Sequence, residues 1–176
     1  GVALAGLEFL ADRFPVSTEH VANGLSALRE RAGLRGRIER LSDEPLVVLD
    51  VAHNAAGIKA LSSTLDTCGL GGKRWNVVFA AMDDKAIDVM LEALEPLTAV
   101  LFATAPHLDR ALAPAQIAAL AAAAGIERVC ELPLVADAVE AAIRLQEPML
   151  IVGSFYLADE ALSCWNSRSE ETLWET

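Results

Sequence analysis

From residue 37 onward, short apolar runs alternate with amphipathic stretches. The runs Leu46-Val47-Val48-Leu49, Asn76-Val77-Val78-Phe79, Ala99-Val100-Leu101-Phe102 and Met149-Leu150-Ile151-Val152 are almost unbroken by polar residues. Strands with only one covered face alternate apolar and polar; near-continuous runs mark strands buried on both faces. Strands are predicted over 37–41, 46–50, 75–81, 99–105, 128–132 and 149–155. Helical spacing predicts helices over 55–67, 85–94, 114–124 and 135–145, with a last one beginning near Leu157. Pro114 suits a first helical turn, and Gly69 and Gly125 stand where C-terminal caps belong. Strand and helix recur about every 25 residues, which implies right-handed βαβ units and a mainly parallel sheet of six strands covered on both faces.

The first 36 residues have a different texture. Ser17 or Thr18 can cap a helix over 17–31, with Val21, Leu25 and Leu28 on one face, and Gly33 and Gly36 then break the pattern. Residues 1–36 therefore read as a short, all-helical segment ahead of an α/β unit at 37–176. The absence of a starting Met suggests a piece of a longer protein.

Composition narrows the function. Of 176 residues, 53 % are hydrophobic, many of them alanine, which suits helices packed closely on a sheet. No apolar run reaches the about 18 residues of a spanning helix, and the start carries no basic leader. A net charge of −11 disfavours nucleic acid and anionic membranes as partners. The densest basic stretch, from Arg29 to Arg40, has acids interleaved. Cys68, Cys130 and Cys164 are odd in number and far apart, as expected of reduced cytoplasmic thiols.

In an open parallel sheet, ligands bind beyond the C-terminal ends of the strands. The residues after the apolar runs are Asp50-Val51-Ala52-His53-Asn54, Met82-Asp83-Asp84-Lys85, Thr104-Ala105-Pro106-His107 and Gly153-Ser154-Phe155-Tyr156. The first set carries a carboxylate, an imidazole and a carboxamide at a strand end and just before a helix, whose free N–H groups favour a phosphate or carboxylate. Asn54 equally fits a plain helix cap and Asp50 a turn former. In the last set, Gly153 permits close backbone approach, and the Ser154 and Tyr156 hydroxyls can bond a ligand; a capped helix start with an aromatic plug fits equally. Asp83, Asp84 and Lys85 fit a helix cap with a local ion pair and a functional role equally, and His107 and Arg110 lie in a loop where they could touch a partner domain or ligand but better fit plain surface residues. No Gly-x-x-x-x-Gly-Lys-[Ser/Thr] loop, dinucleotide fingerprint or nucleophile elbow occurs, and no His/Cys set has zinc spacing. No metal ligand is assigned, and catalysis by this chain alone is not expected.

Gly36-Arg37-Ile38-Glu39, followed thirteen positions after Arg37 by Asp50-x-Ala52-His53-Asn54, resembles paired motifs of the folylpolyglutamate / dihydrofolate synthases, within the Mur ligase superfamily. Ile151-Val152-Gly153-Ser154-Phe155-Tyr156 resembles their last-strand signature, and Asp84-Lys85 their Asp-Lys-Asp after the third strand. Val51 stands in place of the usual Gly, Ala55 of Pro and Ala86 of the second Asp. Since β-branched Val51 resists positive φ, its loop either keeps ordinary backbone angles or has shifted.

The resemblance implies a Rossmann-like three-layer C-terminal domain of an ATP-dependent ligase, with residues 1–36 left from a preceding domain. It implies that ATP phosphorylates a folate or dihydropteroate carboxylate and that L-glutamate attacks the acyl phosphate. Arg37, Asp50 and Asn54 would contact ATP, His53 would act at the phosphates or the incoming glutamate, and Ser154 and Tyr156 would contact glutamate. Mg²⁺ and the phosphate loop would belong to an N-terminal domain of the same, monomeric chain. A cell-wall Mur ligase domain, or a non-catalytic flavodoxin-like binding module, remain alternatives.

Overall fold

A computed structural model describes residues 2–27 and 31–172. Contacts divide the chain into two units, Gly1–Arg35 and Gly36–Thr176. In the first unit lie α1 (Val2–Phe9) and α2 (Thr18–Ser26). Ser17 caps α2: its hydroxyl accepts the His20 N–H at 3.1 Å, and His20 Nδ1 accepts the Ser17 N–H at 3.2 Å. None of the side chains described in this unit is fully buried. Leu28, Arg29 and Glu30, predicted as part of this helix, lie outside the described residues.

The second unit runs β1 (Glu39–Asp43), β2 (Leu46–Leu49), α3 (Ala55–Thr67), β3 (Trp75–Phe79), α4 (Ile87–Leu94), a 3-10 turn (Glu95–Leu97), β4 (Thr98–Ala103), α5 (Pro114–Ala123), β5 (Val129–Glu131), α6 (Val135–Ile143), β6 (Met149–Val152) and α7 (Phe155–Thr172). The six strands form one sheet in the order β1-β2-β6-β3-β4-β5. All neighbours are parallel except the β1–β2 hairpin, which sets an antiparallel strand at the edge.

Alternate residues of each strand face opposite layers. Val48, Val77, Phe79, Leu101, Leu150 and Val152 pack against Ile58, Leu61 and Leu65 of α3, Met90 and Leu91 of α4, and Ile117 of α5. Val47, Leu49, Val78, Val100, Phe102, Met149 and Ile151 pack against Val135 and Val139 of α6 and Leu157 and Ala161 of α7. This explains the unbroken apolar runs: both pleat faces are covered.

Helix α3 spans the residues the pattern predicted, because Asn54 caps it and positions 58, 61 and 65 are its buried stripe. Several strands are shorter than predicted. The first begins at Glu39 rather than residue 37, because Gly36 (φ 67°) and Ile38 (φ 48°) hold Arg37 in a turn. The last ends at Val152 rather than residue 155, because Gly153 (φ 131°) turns the chain into α7, which begins two residues earlier than predicted.

The connections shape the C-terminal rim of the sheet. Strand β6 lies between β2 and β3, yet its following helix packs on the opposite face from α3 and α4. Loops leaving neighbouring strands toward opposite faces open crevices at the C-terminal edge, one on each side of β6. Gly153 keeps that edge closed below. A Cβ there would meet the Ala80 carbonyl oxygen and, at 3.0 Å, the Phe79 ring, on a backbone that side chains rarely adopt. Gly153→Ala is therefore expected to lower stability by roughly 3 kcal/mol or more, read by urea unfolding; a loss below about 0.5 kcal/mol would contradict this packing.

Candidate functional site

The first crevice is organised by a buried carboxylate. Asp50 stands just past β2 and is 9 % exposed. Its Oδ2 accepts the Ile38 N–H at 2.9 Å and its Oδ1 accepts the Ala52 N–H at 2.8 Å. One side chain thus ties the turn before β1 to the loop after β2. The Val51 N–H donates to the Gly36 carbonyl at 3.0 Å, and Glu39 Oε2 accepts the Gly36 N–H at 2.9 Å, closing the same turn. A Cβ on Gly36 would lie 2.5 Å from Val51 Cγ1, so the turn admits only glycine there. Val51 keeps ordinary backbone angles: positive φ among the described non-glycine residues is confined to Ile38 and Gln146. Ile38, β-branched, sits in the left-handed region at a cost of about 1–3 kcal/mol, offset by the charge-assisted bond to Asp50.

That turn presents Arg37. Its guanidinium carbon lies 5.5 Å from the centroid of the Phe155 ring, and no direct ion pair neutralises it among the described residues. The His53 ring meets the same phenyl group from the other strand end, with centroids 5.6 Å apart and planes tilted by 42°. His53 Nδ1 is 2.9 Å from the Val51 carbonyl, so the proton is assigned to Nδ1 and Nε2 is left as an acceptor. Asn54 caps α3 by accepting the Gly57 N–H at 2.8 Å. Arg37, Ile38, Asp50, His53 and Asn54 line one cavity of about 560 Å³ running along α3 to Thr64 and Cys68. Phe155, read from sequence only as an aromatic plug, is the common platform of Arg37 and His53.

His53 also lines the second crevice, a cavity of about 390 Å³ shared with Met82, Asp84, Lys85, Arg110 and Tyr156. Ser154 is 4 % exposed, and its hydroxyl accepts the Leu157 N–H at 3.0 Å, so it caps α7 at the cavity floor. Tyr156 accepts a hydrogen bond at its hydroxyl from Arg110 at 3.1 Å. The Asp84–Lys85 ion pair expected from sequence is present at 2.6 Å, and the Lys85 ammonium holds the exposed Asp84 carboxyl below its ordinary range. The cap expected from this trio is absent: α4 begins after Ala86 with no side-chain cap. Arg110 is exposed, as its surface reading expects, and it also lines this cavity.

Among the described residues no group of three His, Cys, Asp or Glu side chains could hold a metal ion, and no helix is long and apolar enough to cross a membrane. What the fold and rim define is a mainly parallel α/β domain offering two clefts that share His53, one holding an arginine with no direct ion pair among the described residues and the N-terminus of α3. Residues 36–155 match the family described as "Mur ligase, glutamate ligase domain", and the chain belongs to that family.

It is 32 % identical over 160 residues to a probable bifunctional folylpolyglutamate synthase/dihydropteroate synthase of Halobacterium salinarum, covering 89 % of this chain and 19 % of the relative. It is 30 % identical over 157 residues to a folylpolyglutamate synthase of Lacticaseibacillus casei, covering 82 % and 32 % respectively. The Mycobacterium tuberculosis folylpolyglutamate synthase complexed with ADP and AMPPCP superposes with a TM-score of 0.74 at 29 % identity, covering 86 % of this chain and 36 % of that one. The chain thus spans about a fifth to a third of the length of these relatives.

Asp50→Asn tests the staple. The carboxamide keeps one acceptor and turns an NH₂ group toward the other amide, so a loss of about 1–3 kcal/mol in unfolding free energy is expected. Unfolding at the wild-type midpoint would contradict it.

Proposed function

We propose that this chain is the C-terminal domain of an ATP-dependent ligase that joins L-glutamate to a folate or dihydropteroate carboxylate. The observation that carries the reading is the convergence of Arg37, Asp50, His53 and Asn54 on one cavity of about 560 Å³ at the C-terminal rim of the sheet. That volume falls in the range of small-molecule sites. The residues suit a nucleotide. Arg37 offers a permanent cation, without a direct ion pair among the described residues, for phosphate oxygens, and the first turn of α3 adds backbone N–H groups and the positive end of its dipole. Asp50 contributes its remaining lone pairs to the sugar or base while holding Arg37 in place. This is one wall of an ATP site; a P-loop domain of the same, longer polypeptide supplies the other, together with Mg²⁺. Residues 1–36 belong to the domain before this one, and the whole works as a cytoplasmic monomer.

The reaction has two steps. A carboxylate oxygen of the folate substrate takes the γ-phosphoryl group of ATP, and ADP leaves. The amine of glutamate then attacks the acyl carbon, inorganic phosphate departs with the electrons of the C–O bond, and the nitrogen loses its proton. His53 stands where the two clefts join, with Nε2 free to accept that proton. Ser154 and Tyr156 floor the second cleft, where glutamate is placed. Closure of the two walls keeps water from the acyl phosphate.

The complete polypeptide, supplied with ATP, glutamate and dihydropteroate or tetrahydrofolate, is expected to form an amide and release phosphate. Arg37→Ala is expected to raise the KM for ATP by about 10-fold or more, the value of one charge-assisted contact. His53→Ala is expected to lower kcat by about 100-fold, the usual contribution of an acid–base group. Wild-type rates in both variants would remove the site assignment. Turnover of a UDP-linked peptide instead of a folate would favour the cell-wall branch of the family.

A further inference from the structure

Phe155 opens α7 at the rim, outside the apolar stripe that seats this helix. Leu157, Ala158 and Ala161 pack the helix on the sheet and are buried, whereas Phe155 is 52 % exposed. Its backbone is nonetheless fixed. Gly153 makes the turn out of β6 at φ 131°, and the Ser154 hydroxyl accepts the Leu157 N–H at 3.0 Å. The strand order β1-β2-β6 brings the turn before β1, the loop after β2 and the start of α7 together at this point. The phenyl ring meets one polar side chain from each of the other two segments. The Arg37 guanidinium carbon lies over it, 5.5 Å from the centroid, and the His53 ring lies 5.6 Å away, centroid to centroid.

The chemistry of these two contacts suits a placing role. A carboxylate partner would order a long arginine at a rim, but it would also neutralise the charge and occupy N–H donors. An aromatic face attracts a guanidinium through its quadrupole and leaves the formal charge in place. Arg37 makes no direct ion pair among the described residues, in a chain of net charge −11. At His53, Nδ1 faces the Val51 carbonyl, and the ring contact leaves Nε2 open as an acceptor. One apolar ring thus limits the rotamers of both side chains without consuming the charge of one or the acceptor of the other. Ordering side chains before a ligand arrives reduces the entropy lost on binding.

We infer that, within the ligase reading above on which this rests, Phe155 is a positioning residue for both steps: its ring holds Arg37 for the nucleotide and His53 for the proton transfer. It acts through those two side chains and not on a substrate. The ring face, rather than apolar bulk alone, is what the position requires, and the effects of changing Phe155 pass through Arg37 in one step and through His53 in the other.

The test is a set of double-mutant cycles on the complete polypeptide, assayed with ATP, glutamate and dihydropteroate or tetrahydrofolate. Phe155→Leu keeps apolar bulk and drops the π face. It is expected to raise the KM for ATP and to lower kcat, each by about 3- to 10-fold, the range of cation–π and aromatic pair contacts. Phe155→Tyr, which keeps the ring, should hold both constants within about twofold of wild type on the same grounds. In an Arg37→Ala background Phe155→Leu should no longer change the KM for ATP, and in a His53→Ala background it should no longer change kcat. A loss of packing alone would carry through both backgrounds undiminished. Either constant staying at its wild-type value in Phe155→Leu, a Phe155→Tyr enzyme no better than Phe155→Leu, or full losses persisting in both backgrounds would overturn the inference while leaving the ligase reading standing. A wild-type enzyme that joins no glutamate would overturn both.

Discussion

The candidate site depends on one carboxylate accepting two backbone amides. Asp50 is nearly buried at the end of β2, and its two oxygens take the N–H groups of Ile38 and Ala52. A buried charge is tolerated only where hydrogen bonds replace its water, and here two backbone amides do so. With it, the turn before β1 folds back over the loop after β2, Ile38 is held in the left-handed region, and Arg37 is aimed at Phe155. Removing the charge weakens the tie between Ile38 and the β2 loop and leaves the turn to the Val51–Gly36 and Gly36–Glu39 bonds.

A second constraint comes from topology. Because β6 sits between β2 and β3 while α7 packs on the other face from α3 and α4, the rim splits into two clefts with a common partition. His53 and Phe155 form it, and His53 borders both cavities. Under the proposed reaction, in which a phosphorylated carboxylate must meet an amine, an imidazole shared between the two clefts is a useful position. Gly153 makes the partition possible, since its missing side chain lets β6 pass within contact of Phe79 and Ala80 before turning.

Much of the fold was legible in the pattern of apolar residues. Buried strands read as continuous runs, and α3 was bounded residue for residue by the Asn54 cap and its stripe at 58, 61 and 65. The strand ends were less legible, because apolar residues such as Ala80, Ala81 and Phe155 continue past the point where the chain turns. Arg37 was assigned to a strand because nothing local signals that Ile38 will bond a carboxylate twelve residues away. The residues of the first cleft were visible as a short motif at a strand end. Arg110 was visible only as a loop residue able to touch a ligand; its bond to Tyr156, 46 positions distant, was not, since only the folded loop brings them together. Tertiary hydrogen bonds of that reach leave no periodic trace in a sequence.

The most direct measurement is a crystal structure of the complete polypeptide with Mg²⁺ and a non-hydrolysable ATP analogue. The expected result is a nucleotide in the α3 cleft, with the Arg37 guanidinium at about 3 Å from a phosphate oxygen, the Asp50 bonds to Ile38 and Ala52 intact, and the His53 Nε2 facing the phosphoryl end. A nucleotide bound elsewhere, with Arg37, Asp50 and His53 all turned away from it, would contradict the account.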